Sequence, residues 1–394
     1  MVIHGPTNAA YDIDLGPVLL NDWYHGDYRS LVEEIMSPAD SPVILTSDSN
    51  MINGKTNYPC SSDLGDECTE NAGISKFRFQ TGKTHRLRLI NGGGDGYQQF
   101  SIDGHEMTVI ANDFVTVNPY TTNVVTLGVG QRTDVLVKAT MNPTSAVYMR
   151  SNITCVQASN PAAVAIIYYD KASNETIPES NPQSYTEGCS NDDLSTTVPT
   201  YPIPVPDPDL TVTVSITFGQ NATGSWLWSM NNTSARTDYN APTLLLAKQG
   251  NTSFEPDWNV YSTQRSKSYR FIVNNNSSTP HPLHYHGHNM YILATGTGTW
   301  DGSSITNPSN PQRRDVQIIP ANGYLVWQAD AINPGLWAFH CHIVWHLSAG
   351  FAMQVLENLD AIETLPVPST AYQVCRDWAA WSGTNLVDQI DSGL

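Results

Sequence analysis

The sequence predicts an all-β protein built from two β-sandwich domains in series. Three observations lead to this fold class: short strand-like segments with alternating side chains, very few helical patterns, and a pattern that repeats in the two halves of the chain. The segment TVTVSITF at 211–218, for example, places Val212, Val214, Ile216 and Phe218 on one face, as a half-buried strand requires.

The elements can be placed in order along the chain. YRSLVEEIM at 28–36 is the best helix candidate, whereas KTHRLRLI, TDVLVKA and SYRFIV are typical of strands bounded by Gly, Asn or Pro. Residues 195–210, STTVPTYPIPVPDPDL, carry five prolines and favour an extended linker. We therefore expect a first domain over 9–170, a Pro-rich linker region over 171–210 and a second domain over 211–394.

The two predicted domains resemble each other in sequence. In the same order, KTHRLRLIN (83–91) matches KSYRFIVN (267–274), DGHEMTVIA (103–111) matches HGHNMYILA (286–294), and VLVKA (135–139) matches LVWQA (325–329). In the second copy His286 replaces Asp103, and HCH at 340–342 falls about where the first copy has 151–153. We expect only the second copy to bind metal.

Composition limits the partners of the 394-residue chain. Only 14% of its residues are charged and the net charge is −18, so nucleic acid and anionic membrane surfaces are not expected to bind it. No apolar run has the length of a membrane span. Clustered Asn-X-Ser/Thr sequons and paired cysteines favour a secreted protein, although the N-terminus lacks a signal peptide. The sequons begin at Asn152, Asn174, Asn221, Asn231, Asn232, Asn251, Asn275 and Asn276.

The motifs HPLHYHGH (281–288) and HCHIVWH (340–346) predict two metal sites back to back. Alternate strand residues face opposite sides, so Cys341 points away from its neighbours His340 and His342. A thiolate with two imidazoles is the ligand set of a blue-copper electron-transfer centre. The first site is expected to contain His281, Cys341 and His346. The second is expected to contain His284, His286, His340 and His342.

These motifs resemble the multicopper oxidases, and specifically the ascomycete laccases. NPQRRDVQIIP, NPGLWAFHCHI, IDLGPVLLNDWY and the terminal DSGL extend the resemblance over nearly the whole chain. It implies cupredoxin-like sandwiches, the second and third domains of a three-domain oxidase. His281, Cys341 and His346 would bind type 1 copper, which oxidises phenols. His284 would bind type 2 copper, and His286, His340 and His342 would bind part of the type 3 pair, where dioxygen is reduced.

The resemblance also assigns residues around the copper. Phe351 stands at the axial position of type 1 copper, where ascomycete laccases usually carry Leu, and it cannot coordinate, which should raise the reduction potential. Asp95 would accept the phenol proton, with a turn residue as the alternative. Trp226, Trp228 and Trp345 would form aromatic walls. Ser277 and Thr279 suggest a polar pocket rim, and His288, which aligns with His105, is expected to serve the fold.

A full trinuclear cluster needs two further His-X-His pairs, which the family carries in its first domain. The remaining histidines, His4, His25, His85 and His105, are isolated from one another. We therefore expect that the first cupredoxin domain is missing, that 1–8 is the remnant of its last strand, and that the full-length protein is monomeric. The DSGL tail resembles a segment that inserts toward the trinuclear cluster.

Cysteine spacing predicts two disulfides, Cys60 with Cys68 and Cys155 with Cys189. Cys375 is left over. The resemblance implies that its partner lies in the first domain, and a free buried thiol is the alternative.

Two functions of different class follow from the sequence. One is a laccase-type oxidase, with an ascorbate or ferrous-ion oxidase as a variant of the same chemistry. The other is a type 1 copper protein that transfers electrons or binds copper without reacting with dioxygen, or an inactive truncated product.

Overall fold

The computed structural model describes residues 2–3, 5, 7–62, 68–385, 387 and 389–393. His4, Leu394 and part of the expected remnant strand at 1–8 lie outside these residues. The chain divides into two compact units. The first consists of Met1–Asp27, Ile44–Pro204 and Thr306–Ile318, and the second of Tyr28–Val43, Val205–Ile305 and Ile319–Leu394.

The first unit is a sandwich of two β-sheets, in which strand β1 pairs parallel with β4. One sheet has the order β2-β1-β4-β9-β6-β7 and the other β3-β11-β10-β5-β8. Buried apolar side chains of both sheets, such as Leu87 and Phe100, form one core between them. The strands are β1 (Ile13–Trp23), β2 (Ser49–Ile52), β3 (Lys76–Phe79), β4 (Thr84–Asn91), β5 (Tyr97–Ile102), β6 (Met107–Asn112), β7 (Val115–Thr122), β8 (Val125–Leu127), β9 (Arg132–Lys138), β10 (Ala146–Thr154) and β11 (Ala162–Tyr169).

The second unit repeats this topology. Its strands include β12 (Leu210–Gln220), β13 (Trp226–Met230), β14 (Val260–Ser262), β15 (Ser268–Asn275), β16 (His281–Tyr285), β17 (Met290–Thr297), β20 (Gly323–Asp330), β21 (Gly335–Cys341) and β22 (Ala352–Glu357). One sheet contains the order β13-β12-β15-β20-β17 and the other β14-β22-β21-β16. Trp327 fills the core between them, with its ring centroid 4.6 Å from that of Phe271 and 5.0 Å from that of Phe339. The predicted all-β fold is confirmed.

The helices are few and short, as the sequence predicts. They are α1 (Tyr28–Met36), α2 (Thr243–Lys248), α3 (Val344–Ser348), α4 (Leu359–Ile362) and α5 (Ser369–Ser382). Helix α1 coincides with the predicted helix at 28–36. Within the residues described, none of the helices combines the length and apolar composition that crossing a bilayer requires.

The strand pairing explains the sequence repeat and shifts the predicted alignment of the HCH motif with the first copy by one residue. β10 pairs with β5 so that Arg150 lies opposite Ser101, and β21 pairs with β16 so that His340 lies opposite His284. Since His286 corresponds to Asp103, HCH corresponds to 150–152 rather than to 151–153. In the first unit Arg150 donates two hydrogen bonds of 2.8 Å to Asp103, where the second unit has two histidines.

Two segments belong to the unit opposite to the one expected from their position in the sequence. Segment 28–43 belongs to the second unit, where the backbone oxygen of Ala39 accepts hydrogen bonds from Trp226 and Gln220. Segment 306–318 belongs to the first unit and contains β18 (Gln312–Arg314) and most of β19 (Val316–Ile319). Its Arg314 is paired with the buried Asp113. Hydrogen bonds and buried charges, rather than chain order, decide where these segments pack.

The described part of the tail packs in the second unit. Ser392 N–H donates to the backbone oxygen of Ser348 in α3, and Arg236 donates to the backbone oxygens of Gln389 and Asp391. Tyr28 donates to the Asp391 carboxylate. The described tail residues therefore contact the short helix that also carries His346.

Candidate metal centre

Three side chains from separate elements meet around one point in the second unit. Cys341 ends β21, His281 begins β16 and His346 lies in α3. The Sγ atom of Cys341 is 3.8 Å from Nδ1 of His281 and 3.6 Å from Nδ1 of His346. Their potential ligand atoms all lie within 4.8 Å of one another. We call these three residues the cysteine cluster. One sulfur facing two imidazole nitrogens suits a soft, trigonal metal site.

The two histidines of this cluster differ in exposure. His281 is fully buried, whereas His346 is partly exposed. The outer nitrogen of His281, Nε2, lies 2.9 Å from Ser277 Oγ and 3.3 Å from Thr279 Oγ1. Since Nδ1 faces the sulfur, Nε2 carries the proton and donates to Ser277, which in turn donates to Asn275 Oδ1 at 2.7 Å. These two hydroxyls hold the ring of His281 in place. His346 is the more solvent-accessible of the two histidines in the cluster.

Aromatic rings close the cysteine cluster on another side. Phe351 is fully buried, and its ring centroid lies 4.9 Å from that of His281. Trp228 stacks on Phe351 at 5.0 Å and approaches both histidine rings at 4.6 Å. Gly350 has φ +91°, and a Cβ there would lie 1.9 Å from Ser234 Oγ, so the turn that brings Phe351 to this place requires glycine. A hydrocarbon ring at this position offers no ligand atom.

The three tryptophans expected to form aromatic walls all lie in the second unit and have different neighbours. Trp228 is only 6% exposed and packs against the cysteine cluster, so it offers a substrate almost no surface. Trp226 donates its indole N–H to Ala39, and Trp345, which is 9% exposed, stacks on Tyr28 at 6.2 Å. Strand parity could not predict the neighbours of Trp226 and Trp345, because they depend on how segment 28–43 packs in the second unit.

Four histidines form a second group, which we call the histidine cluster. The possible ligand atoms of His284, His286 and His340 lie within 4.8 Å of one another. The ring centroid of His342 is 5.6 Å from that of His284 and 5.7 Å from that of His340. His340 and His342 flank Cys341 in the sequence, so two peptide bonds join the two clusters. The side-chain grouping agrees with strand alternation.

Backbone hydrogen bonds set the tautomers of two histidines in this region. Nδ1 of His340 lies 2.8 Å from the backbone oxygen of Cys341. A carbonyl only accepts, so Nδ1 carries the proton and Nε2 has the lone pair; this Nε2 is 3.0 Å from Nε2 of His286. In the same way Nδ1 of His288 donates to the backbone oxygen of His286 at 2.9 Å.

Desolvation favours the neutral form of four of these imidazoles. Desolvation, with a contribution from His346, holds the pKa of His281 well below its usual range. Desolvation lowers the pKa of His346 to about 3, and it lowers that of His340 to about 3 together with the neighbouring histidines. Burial also lowers the pKa of His286. Neutral imidazoles have the lone pair that metal binding needs.

A buried carboxylate beside the histidine cluster was missed in the sequence. Glu357, at the end of β22, is fully buried and lies 2.9 Å from Nε2 of His288. It also accepts hydrogen bonds of 2.7 Å from Tyr269 and from the backbone of Asn333. The only signal was an acidic residue ending the apolar strand AMQVLE.

Asp95 lies in the first unit, in the loop between β4 and β5. Its neighbour Asp22 is 5% exposed and accepts N–H bonds from Gly94, Asp95 and Gly96 at 2.6, 2.8 and 2.6 Å. Burial and the charge of Asp22 raise the pKa of Asp95 to about 7. A buried carboxyl group with such a pKa can exchange protons near neutral pH. Sequence reasoning missed Asp22, which lies far away along the chain.

Both expected disulfides form, between Cys60 and Cys68 and between Cys155 and Cys189. Cys375 lies in α5 as a half-buried free thiol.

Comparisons with known proteins agree with this geometry. Two sequence profiles described as multicopper oxidase match residues 14–172 and 228–361. The chain is 34% identical to Oxidoreductase OpS5 of Beauveria bassiana (strain ARSEF 2860) and 34% identical to Laccase-1 of Botryotinia fuckeliana, and it covers 68% of each relative. In both alignments all of this chain is matched.

Solved structures give the same result for the fold. The crystal structure of the laccase from Botrytis aclada matches with a TM-score of 0.88 and 31% identity, over 100% of this chain and 73% of that protein. Fet3p, a multicopper oxidase that functions in iron import, matches with a TM-score of 0.79 and 23% identity, over 95% of this chain and 72% of that protein; at this identity the likeness concerns the fold alone. The sandwiches are therefore cupredoxin-like.

Proposed function

The chain belongs to the multicopper oxidase family, and we propose that it acts as a laccase-type oxidase on diphenols and related aromatic compounds. In this reaction, one-electron oxidations of the phenol are coupled to the four-electron reduction of dioxygen to water. The observation that carries the proposal is that Cys341 joins a cysteine cluster to a histidine cluster through its own backbone.

The residues present fit copper. The cysteine cluster offers the thiolate and two imidazoles of a type 1 site, with Phe351 as a non-coordinating neighbour. In the histidine cluster we assign His284 to type 2 copper, and His286, His340 and His342 to the type 3 pair. Copper, when bound, would supply one-electron transfer at the first cluster and dioxygen reduction at the second.

The protein's own residues would guide the electron and the proton. His346 is the more exposed imidazole of the cysteine cluster, so we place the phenol near its edge. Electrons would then cross to the histidine cluster along Cys341 and the peptide bonds to His340 and His342. We propose that Asp95 accepts the phenol proton, because its raised pKa makes it an effective base near neutral pH.

The histidine cluster supplies only part of a three-copper site. Four histidines are too few to give each of three coppers its imidazoles, and none of the isolated His25, His85 and His105 belongs to a His-X-His pair. We propose that the remaining ligands come from residues outside this sequence. We also propose that the protein is secreted, which its disulfides and sequons support.

A second candidate function is electron transfer without dioxygen chemistry. The completeness of the cysteine cluster, in contrast to the histidine cluster, favours it. Such a protein would be blue when oxidised and would be bleached by a diphenol, but it would not regain its colour by consuming dioxygen.

The test uses copper-loaded protein purified from its natural source, so that any residues that flank this sequence in the natural protein are present. The oxidase should be bleached by a diphenol and should recover its blue absorption while dioxygen is consumed. Cys341→Ser should lose the blue absorption and the uptake, whereas His284→Ala should keep the blue absorption and its bleaching but lose the uptake.

The outcomes separate the candidates. Bleaching without dioxygen uptake in the unaltered protein would favour the electron-transfer function, and a colourless copper-loaded protein would contradict both. Faster turnover of ascorbate or ferrous ion than of a diphenol would replace the phenol assignment and leave the oxidase assignment in place.

A further inference from the structure

Two pairs of overlapping glycosylation sequons stand out once their side chains are placed in the fold. Asn231 and Asn232 each begin a sequon, and so do Asn275 and Asn276. We propose that Asn232 and Asn276 carry N-linked glycans in the secreted protein and that Asn231 and Asn275 do not. The inference rests on the proposed secretion, because glycans are attached in that pathway.

The chemistry of attachment explains why hydrogen bonding matters. The side-chain nitrogen, Nδ2, attacks C1 of a lipid-linked oligosaccharide pyrophosphate. A C1–N bond forms, the C1–O bond breaks, and the lipid pyrophosphate leaves with the electron pair while Nδ2 loses one proton. A free asparagine amide has two N–H donors, and a glycosylated one has a single donor. An asparagine whose two N–H groups both donate hydrogen bonds inside the fold would lose one of these bonds on glycosylation.

Asn231 uses its whole amide group. Nδ2 donates to the backbone oxygen of Thr213 at 3.1 Å and to the hydroxyl of Tyr261 at 2.9 Å. Oδ1 accepts the backbone N–H of Ser215 at 2.8 Å. These bonds tie the residue that follows β13 to β12 and to β14. A glycan on Asn231 would remove one of the two donors and would separate the side chain from its partners.

Asn275 is committed in the same way and is also buried, with 2% of its surface exposed. Nδ2 donates to the backbone oxygens of Thr279 at 2.7 Å and Pro320 at 2.9 Å. Oδ1 accepts from the backbone N–H and the hydroxyl of Ser277 at 3.0 and 2.7 Å. Since Ser277 supports His281, a sugar at Asn275 would disrupt the loop behind the cysteine cluster.

The second asparagine of each pair is exposed. Asn232 lines an open cleft of about 800 Å³ in the second unit, which leaves room for a sugar. Asn276 uses its backbone N–H, which donates to Ile216 at 3.2 Å. Among the described residues, neither of these two side-chain amides makes a hydrogen bond. A glycan at either position would therefore cost no internal bond.

The glycan is attached before the chain folds, so only chains whose glycans are compatible with the fold reach the native state. Chains modified at Asn231 or Asn275 would fail to make the bonds described above and would not reach the folded, secreted pool. Chains modified at Asn232 or Asn276 would fold normally. The glycan on Asn276 would then stand next to Ser277, at the edge of the loop that supports His281.

The sites can be identified by mass spectrometry of folded protein collected from the culture medium. Enzymatic removal of glycans in heavy-oxygen water converts each modified asparagine to labelled aspartate, and peptide fragmentation locates the label. We expect label on Asn232 and Asn276 and none on Asn231 or Asn275. Label on Asn231 or Asn275, or none on Asn232 and Asn276, would overturn the proposal.

Matched variants strengthen the test, because each substitution leaves the neighbouring sequon intact. Asn276→Gln should lose one glycan, keep its secreted yield and gain no label at Asn275. Asn275→Gln should retain the glycan at Asn276 but fall several-fold in secreted yield. Appearance of label at Asn275 in the first variant, or loss of the glycan in the second, would contradict the assignment.

The proposed oxidase function is scored separately on the same preparations. Blue, active protein with label at the wrong asparagines would overturn this inference alone. Protein from the medium without label at any of the eight sequons would overturn the inference and leave the proposed secretion in place, whereas protein found only inside the cells would overturn the secretion. Correctly labelled protein without blue absorption would leave the glycan assignment and overturn the oxidase.

Discussion

Hydrogen bonds to single residues orient the imidazoles of both clusters. The carbonyl of Cys341 holds the proton on Nδ1 of His340, and the hydroxyl of Ser277 holds it on Nε2 of His281. A different nitrogen is therefore presented to the site in each case: Nε2 of His340 and Nδ1 of His281. The partner of His340 is a backbone carbonyl, which no substitution removes. The partner of His281 is a side-chain hydroxyl, so a substitution of Ser277 can remove it.

Substitution of Ser277 by Ala should change the type 1 copper potential. A hydroxyl that accepts from Nε2 of His281 makes the imidazole a better donor and stabilises oxidised copper. Removal of a bond worth about 1 kcal/mol should raise the potential by several tens of millivolts. Redox titration of the blue absorption measures the shift.

Ser277→Thr is the control for this substitution, because it keeps a hydroxyl at the same place and should restore the potential. An unchanged potential in Ser277→Ala would mean that the hydroxyl only fills space. A lowered potential would contradict the proposed direction of the hydrogen bond.

Substitution of Asp95 by Asn should stabilise the protein above neutral pH. The pKa of Asp95 is raised from 3.8 to about 7, so between these values the folded protein holds a proton that the unfolded chain has released. Stability therefore falls as pH rises from about 4 to about 7, and the full penalty, on the order of 4 kcal/mol, applies above that range.

Urea unfolding of the protein and of Asp95→Asn across this pH range measures the difference. It should be small near pH 4 and largest above pH 7. Asp360→Asn, which removes an exposed carboxylate, is the control and should show no comparable trend. A difference that does not vary with pH would show that Asp95 is not the titrating group.

At the scale of elements, buried ion pairs hold segments where chain order would not place them. Arg314 of β18 donates to the carboxylate of Asp113, which follows β6, and both side chains are almost fully buried. Arg132 at the start of β9 binds Asp315 through two hydrogen bonds of 2.6 and 2.7 Å. Together with hydrogen bonds such as that from Arg313 to the backbone oxygen of Tyr201, these four residues hold segment 306–318 in the first unit.

Substitution of Arg314 by Met should destabilise the first unit by about 3 kcal/mol, because it leaves Asp113 buried with only Arg132 as a cationic neighbour. The matched control is Arg265→Met, which breaks an exposed pair with Asp360 and should cost at most about 1 kcal/mol. Urea unfolding compares the two variants, and equal losses would refute a special role for the buried pair.

At the level of the whole molecule, the two units share one topology, but among the described residues only the second unit contains His and Cys groups that could hold a metal ion. In the first unit an Arg150–Asp103 ion pair stands where His340 and His286 stand in the second. The same sheet positions therefore hold either a closed salt bridge or imidazoles with free lone pairs. Stability of the second unit should depend on copper, because ligands bind the folded state preferentially.

Removal of copper should lower the temperature of unfolding. At a copper concentration about a thousandfold above its dissociation constant, binding contributes about 4 kcal/mol. Calorimetry with and without a chelator should show this shift in the unaltered protein. Cys341→Ser should lose most of the type 1 contribution, whereas Cys375→Ser, which removes the other cysteine that is outside a disulfide, should retain it. Equal behaviour of the two variants would contradict the assignment of the cysteine cluster.

Much of the fold and of the site follows from local sequence patterns. Alternation along β12, the helix at 28–36 and the repeated strands all depend on residues close together in the chain. Strand parity alone places Cys341 in one group and its two neighbours in another, since adjacent side chains of a strand must face opposite sides. Cysteine spacing was sufficient for both disulfides.

Tertiary structure decided what depends on partners far apart in sequence. Asp22 beside Asp95, Glu357 beside His288, the burial of Trp228 and the packing of segments 28–43 and 306–318 leave no local pattern. The same holds for the sequons, which share the Asn-X-Ser/Thr pattern but differ in whether the fold uses both amide hydrogens. Local sequence patterns were enough to predict the strands and the candidate ligand types, because side-chain alternation involves only neighbouring residues. Only the folded chain decided the supporting contacts, because hydrogen bonds and burial depend on which distant segments meet.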